Sequence, residues 1–192
     1  MRSRSVKWSC GAFAALATST FAVAGGTDTG PTEQILYNLT GVEYLGGIPE
    51  IIATLEISAN ARLVELKWEN VVLETFDNVG VPTWGSEAVL GVSGVNTAGE
   101  THSELFLPFP NANSGGIFGP VDGSLDLLFA DMFSDQSGHI MISAGSTWDD
   151  NTGLPAGEYL DGQLVLIYAP IPAPGAIALL GLAGLATRRR RR

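Results

Sequence analysis

Apolar and polar residues alternate with a period of two along most of this chain, the pattern of strands with one buried face and one wet face. Over 34–41, Ile35, Tyr37 and Leu39 fall on one side, with Gln34, Asn38 and Thr40 on the other. Over 50–58, Ile51, Ala53, Leu55 and Ile57 oppose Thr54, Glu56 and Ser58, and over 62–69 Val64, Leu66 and Trp68 oppose Glu65, Lys67 and Glu69. Further runs predict strands over 87–95, 102–109, 124–133, 139–144 and 159–169, the last with Leu160, Leu164, Leu166 and Tyr168 on one face. Segment 61–74 is ambiguous, because Val64, Trp68, Val71 and Val72 would also line one face of a helix. Turn-forming residues cluster at Gly46-Gly47-Ile48-Pro49, at Asp77-Asn78-Val79-Gly80, at 111–116 and at 149–157. About eight short strands punctuated by Gly-rich turns predict an all-β domain, a single antiparallel β-sandwich that is jelly-roll-like. No internal repeat and no dividing linker interrupts it.

Charge is distributed unevenly. Arg2, Arg4 and Lys7 open the chain, and Arg188, Arg189, Arg190, Arg191 and Arg192 close it. Between them lie only two cations, Arg62 and Lys67, and all 20 carboxylates, which gives the middle a net charge of −18. Affinity for a nucleic-acid backbone depends on Lys and Arg displacing counterions, so this middle is not a nucleic-acid binder. It is about 145 residues long, enough for one ordinary core. The single cysteine, Cys10, lies in the first segment, so the domain has no disulfide, no thiolate zinc site and no cysteine nucleophile.

Both ends read as addresses. Residues 1–24 have the form of a secretory signal peptide: a basic start, a small-to-apolar run from Gly11 to Ala24, and Ala22-Val23-Ala24 before a cut at Gly25. The exported domain then spans 25–169. Segment 170–192 contains Pro172-Ala173-Pro174-Gly175, an apolar stretch to Ala186 and the arginine block. A helix over the 12 residues from Gly175 to Ala186 would rise roughly 18 Å against a hydrocarbon core of about 30 Å. It is thus a short hydrophobic helix, with its arginines held on the cytoplasmic side.

This three-part tail resembles the PEP-CTERM sorting signal of exopolysaccharide-producing bacteria: a Pro-rich motif, a hydrophobic helix and a terminal basic cluster. Ala173 stands where the family has Glu between the two prolines. The resemblance covers about 22 residues. It implies handling by signal peptidase and by an exosortase, a membrane cysteine transpeptidase, and a destination at the cell envelope, cell surface or extracellular matrix. An ordinary single-span tail anchor is the simpler reading of the same residues. The middle is also similar to the domains that commonly precede such tails, and that similarity implies a β-sandwich without an assigned activity.

Candidate chemistry in the domain is sparse. Asp149, Asp150, Asn151 and Glu158 form the densest set of oxygen donors, and Asp149, Asn151 and Glu158 are the candidate ligands for Ca2+, which takes six to eight oxygens. A solvated turn capped by its own Asp and Asn side chains explains the same residues. Asp122, Asp126, Asp131 and Asp135 read as ordinary surface carboxylates. His102 and His139 are the chain's two histidines, and no nucleophile elbow, zinc-binding His pair or phosphate loop accompanies them. Trp84 and Trp148 fall in or near loops and could stack on sugars or close the core from strand ends. The expectation is a non-enzymatic, exported surface or matrix protein, structural or associated with extracellular polysaccharide. The alternatives are a secreted carbohydrate-active enzyme and a calcium-dependent glycan-binding module.

Overall fold

A computed structural model describes residues 31–78, 80, 83–148 and 153–171. The signal peptide, the Pro172-Ala173-Pro174-Gly175 motif, the C-terminal apolar stretch, the arginine block and the pair Asp149 and Asn151 lie outside these residues. The described chain forms nine strands in sequence order: β1 (Glu33–Asn38), β2 (Val42–Leu45), β3 (Gly47–Glu56), β4 (Arg62–Thr75), β5 (Ala88–Val95), β6 (Thr101–Phe106), β7 (Ile117–Asp126), β8 (His139–Ser146) and β9 (Pro155–Ala169). A single 3-10 turn, Gly85–Glu87, precedes β5.

The strands build a β-sandwich of two antiparallel sheets. The first runs β1-β9-β4-β7, with β2 beside β1 on the same edge of β9; the second runs β3-β8-β5-β6. β5 pairs with β6, β4 with β7, β3 with β8 and β2 with β9, so the chain is one long hairpin whose successive rungs fall alternately in the two sheets. The inner faces meet in one core that includes Ile35, Tyr37, Leu63, Leu66, Leu73, Leu90, Ile140, Ile142, Leu164 and Leu166. At one side Trp68 of β4 stacks on Phe106 of β6, with ring centroids 4.7 Å apart.

Several strands follow the alternation read from the sequence. In β1, Ile35 and Tyr37 are buried, and Leu39 beyond it is buried too. Segment 61–74 is strand and not helix, because β4 needs both of its edges to pair with β7 and β9. Where the face assignments fail, a bulge is the cause, since one extra residue exchanges inside for outside. β9 carries an extra residue at Leu160, between the partners of Leu73 and Val72, so the fully buried residue there is Tyr159 and not Leu160. In β4 the register shifts between Leu63 and Glu65, which puts Leu63 in the core in place of Val64. In β3 it shifts between Ile51 and Ala53, leaving Ile51 exposed.

Two boundaries also differ. The strand expected over 124–133 is β7, Ile117–Asp126, and residues beyond it turn. Leu127 and Met132 are buried there, yet Asp126 and Asp131 hold the backbone in turns by accepting from the N–H groups of Leu128 and Thr97. The Gly46-Gly47-Ile48-Pro49 cluster is a junction between β2 and β3 rather than an open turn, and Pro155–Gly157 belong to β9.

Gly162 sits at φ +113°, and a Cβ there would lie 2.6 Å from the Val71 Cα. Both sterics and backbone conformation therefore require glycine. Gly162→Ala should lower stability by at least about 1 kcal/mol, read as a drop in the urea midpoint with an unchanged slope.

All four tyrosines are buried. Burial raises the pKa of Tyr37, Tyr44 and Tyr159 above the ordinary value of 10.0. Burial, with the bond from the Tyr168 hydroxyl to Glu33 Oε2 at 2.9 Å, pushes Tyr168 up to about 12. Unfolded tyrosines ionise near pH 10, so the unfolded state releases protons first and stability falls as pH rises through the window from about 10 to about 12. Tyrosinate absorbance should therefore appear cooperatively, together with loss of the strand circular dichroism signal. A gradual rise in tyrosinate near pH 10 with the strand signal intact would show that these hydroxyls reach water in the fold.

Candidate functional site

The two sheets differ sharply on their outer faces. On the first sheet, the solvent-facing residues of β4 are Glu65, Lys67, Glu69 and Glu74, and their cross-strand neighbours on β7 include Asp126 and Ser124. Lys67 Nζ lies 3.5 Å from Glu65 Oε2, and Gln163 Nε2 donates to Glu69 Oε2 at 2.8 Å. At the other end of this face, Glu43, Glu158 and Glu74 sit directly opposite one another on β2, β9 and β4. On the second sheet the outward rows read Thr54, Met141, Ser93, Ser103 and then Ile51, Ser143, Gly91, Leu105. Those two rows carry no charge. The pair Glu56 and His139 occupies the next row, with His139 Nε2 3.9 Å from Glu56 Oε1.

Glu158 is the one candidate calcium ligand among the described residues, and the fold gives it two glutamates as neighbours. Among the described residues no group of three or more His, Cys, Asp or Glu side chains is arranged to hold a metal ion. The carboxylates Asp122, Asp126, Asp131 and Asp135 serve the backbone. Asp122 accepts from Asn70 N at 2.6 Å, and Asp131 accepts from Thr97 N and Oγ1 at 3.3 and 2.9 Å. Asp135 accepts from the N–H groups of His139 and Ser137, each at 2.8 Å; the His139 N–H is the main reason its carboxyl stays below the ordinary carboxylate range.

Among the described residues, the side-chain partners of both histidines are carboxylates and not serine hydroxyls. His139 Nδ1 faces Asp135 Oδ2 at 3.4 Å. His102 Nε2 faces Glu104 Oε1 at 3.1 Å, and both point inward along β6, an edge strand of the second sheet.

The loops at one end of the sandwich bring together the two tryptophans that the sequence singled out. Trp84 N donates to Glu87 Oε2 at 2.9 Å, and Thr147 N, next to Trp148, donates to the Glu87 carbonyl at 2.8 Å. The Trp148 carbonyl in turn accepts from Gly47 N at 3.1 Å, which brings the start of β3 and the exposed Ile48 alongside. Glu87 is thus the clasp of this end, a role that sequence reading missed. The signal was the spacing Trp84-x-x-Glu87, in which a Glu three residues on reaches back to a turn's first N–H. Behind it, Tyr44 and Tyr159 pack with ring centroids 5.6 Å apart, their hydroxyls buried and without hydrogen-bond partners among the described residues. At the opposite end lies an open groove of about 660 Å³ lined by Asn60, Asn96, Thr97, Gln136, Ser137 and Ile171.

No family model matches the chain, and no curated protein matches it. Among solved structures it is similar to the VP2 subviral particle of infectious bursal disease virus, with a TM-score of 0.40 and 12% identity over 77% of this chain and 35% of that one. The capsid of Ralstonia phage GP4 gives a TM-score of 0.39 and 14% identity over 79% of this chain and 92% of that one. The coat protein of Tobacco streak virus gives 0.30 and 12%, over 79% and 92%. The chain spans about a third of the VP2 chain. Among the described residues, no helix is long and apolar enough to cross a membrane.

Like charges directly opposite one another on neighbouring strands destabilise a sheet by a few tenths to about 1 kcal/mol. Glu158 is the centre of the Glu43–Glu158–Glu74 row. Glu158→Gln should therefore raise the melting temperature at low ionic strength, and added NaCl should shrink the gain. A lower melting temperature in the variant would mean that the carboxylate is held by a favourable partner.

Proposed function

We propose that this is an exported cell-surface or extracellular-matrix protein of a bacterium. Its sandwich is wound as a jelly roll and serves as a structural or polysaccharide-associated component. Signal peptidase cuts after Ala24, and an exosortase acts on the Pro172-Ala173-Pro174-Gly175 signal, after the apolar stretch and Arg188–Arg192 have held the chain in the membrane. The domain carries no catalytic role in this reading.

The observation that carries the reading is where the domain receives and releases the chain. Glu33 at the start of β1 pairs with Tyr168 near the end of β9, and Ile171 lines the groove beside Asn60. Residues 33 and 171 therefore leave the sandwich at one end, and both address segments attach there. The Glu87 end is the opposite end of the sandwich. A single-point attachment of this kind suits a domain displayed outward and then released. The −18 charge of the exported part keeps such domains soluble and mutually repelling at high density.

Mass spectrometry of the protein from its native cells, with and without their exosortase, tests the assignment. The mature chain should begin at Gly25 and end at the Pro172–Gly175 motif only when the enzyme is present. Persistence of Arg188–Arg192 in both strains would make the tail a plain membrane anchor and overturn the sorting reading.

A further inference from the structure

We infer that the Glu87 end of the sandwich binds an uncharged polysaccharide, whose sugar rings stack on Trp84 and Trp148. The inference deepens the preceding reading by naming a ligand class, and it rests on that reading for its setting. Tryptophan is among the most buried side chains on average, and Trp68 conforms, stacked on Phe106 in the core. Trp84 and Trp148 depart from this, with 44% and 49% of their surfaces exposed. They are not stray residues of separate loops. Both segments are hydrogen-bonded to the same residue, Glu87, through its carboxylate and its carbonyl. Ile48, 87% exposed, follows Gly47, whose N–H donates to the Trp148 carbonyl, so a further exposed apolar residue lies on the adjoining segment.

Charge selects the partner. Among the described residues the two cations lie elsewhere. Arg62 donates to the Leu128 carbonyl at the end where the chain enters and leaves, and Lys67 is paired with Glu65 on the first sheet. An anionic glycan or an anionic lipid surface would meet carboxylates with nothing to neutralise them. A lipid surface is disfavoured a second time, because the address segments leave from the opposite end. A neutral pyranose fits both parts of this surface. Its C–H face covers an indole, and its hydroxyls form neutral hydrogen bonds that need no counter-charge. The neighbouring outer face of the second sheet is charge-free over its Thr54–Ser103 and Ile51–Leu105 rows, so a long uncharged chain can continue across it without desolvating a carboxylate.

Affinity electrophoresis of the full chain, purified in mild detergent, provides the test. Native gels would contain dextran, galactomannan or mixed-linkage β-glucan, with alginate as the anionic comparison. At least one neutral polymer should retard the protein, and alginate should not. The double variant Trp84→Ala/Trp148→Ala should bind the retarding polymer about tenfold more weakly. Trp84→Phe/Trp148→Phe, which keeps aromatic faces, should retain most of the binding, and melting temperatures should confirm that both variants fold. Retardation by no neutral polymer, by alginate as strongly, or equally in the Ala variant would overturn the inference. So would a dimer in sedimentation that the Ala variant dissolves, since the rim would then join two copies of this chain. Binding by the purified chain does not depend on how its ends are processed, so this result and the terminus mapping fail independently.

Discussion

Strand β9 is hydrogen-bonded along both edges for most of its length, to β1 and β2 on one side and to β4 on the other. It also changes face once along the way. The extra residue Leu160, which falls between the partners of Leu73 and Val72, lets Tyr159 and Leu164 both reach the core, although five positions separate them and strict alternation would put them on opposite sides. Ahead of the bulge β9 faces the loop end with Tyr159 against Tyr44; beyond it, Leu164, Leu166 and Tyr168 close the main core. The packing of Tyr159 on Tyr44 and the junction of β1 with β9 where the chain leaves therefore both lie on one long strand.

Periodicity made the sandwich legible, and bulges limited how far. Where a strand runs straight, as in β1, the alternation of Ile35 with Tyr37 names the core correctly. A bulge has no fixed residue signature: Ile51, Val64 and Leu160 are as apolar as Ile52, Leu63 and Tyr159. Which member of each pair goes inside depends on the register of a strand far away in sequence. The end of β7 was hidden for another reason, because Leu127 and Met132 are true core residues carried on turns. The tryptophan end was half legible. Loop composition marked Trp84 and Trp148 individually, but their joining through Glu87 depends on β5 and β8 being neighbours, which no local pattern states.

The chain's acidity is also a structural fact with a direction. Carboxylates gather on the outer face of the first sheet, some of them in repulsive registers, while two full rows of the second sheet's outer face bear none. Repulsion within the first face is tolerated because water screens it. The same screening would be lost if that face were covered, which makes it the costlier of the two faces to bury.

Two edges of the sandwich resist pairing with a strand from another molecule. β6 turns His102 and Glu104 inward at its border, and β7 carries Pro120, which has no N–H to offer a neighbour. A strand arriving from another molecule would have to bury the first pair and forgo a ladder bond at the second. Both borders are therefore poor templates for a strand from a second molecule, β6 because of a charged pair and β7 because of a missing N–H.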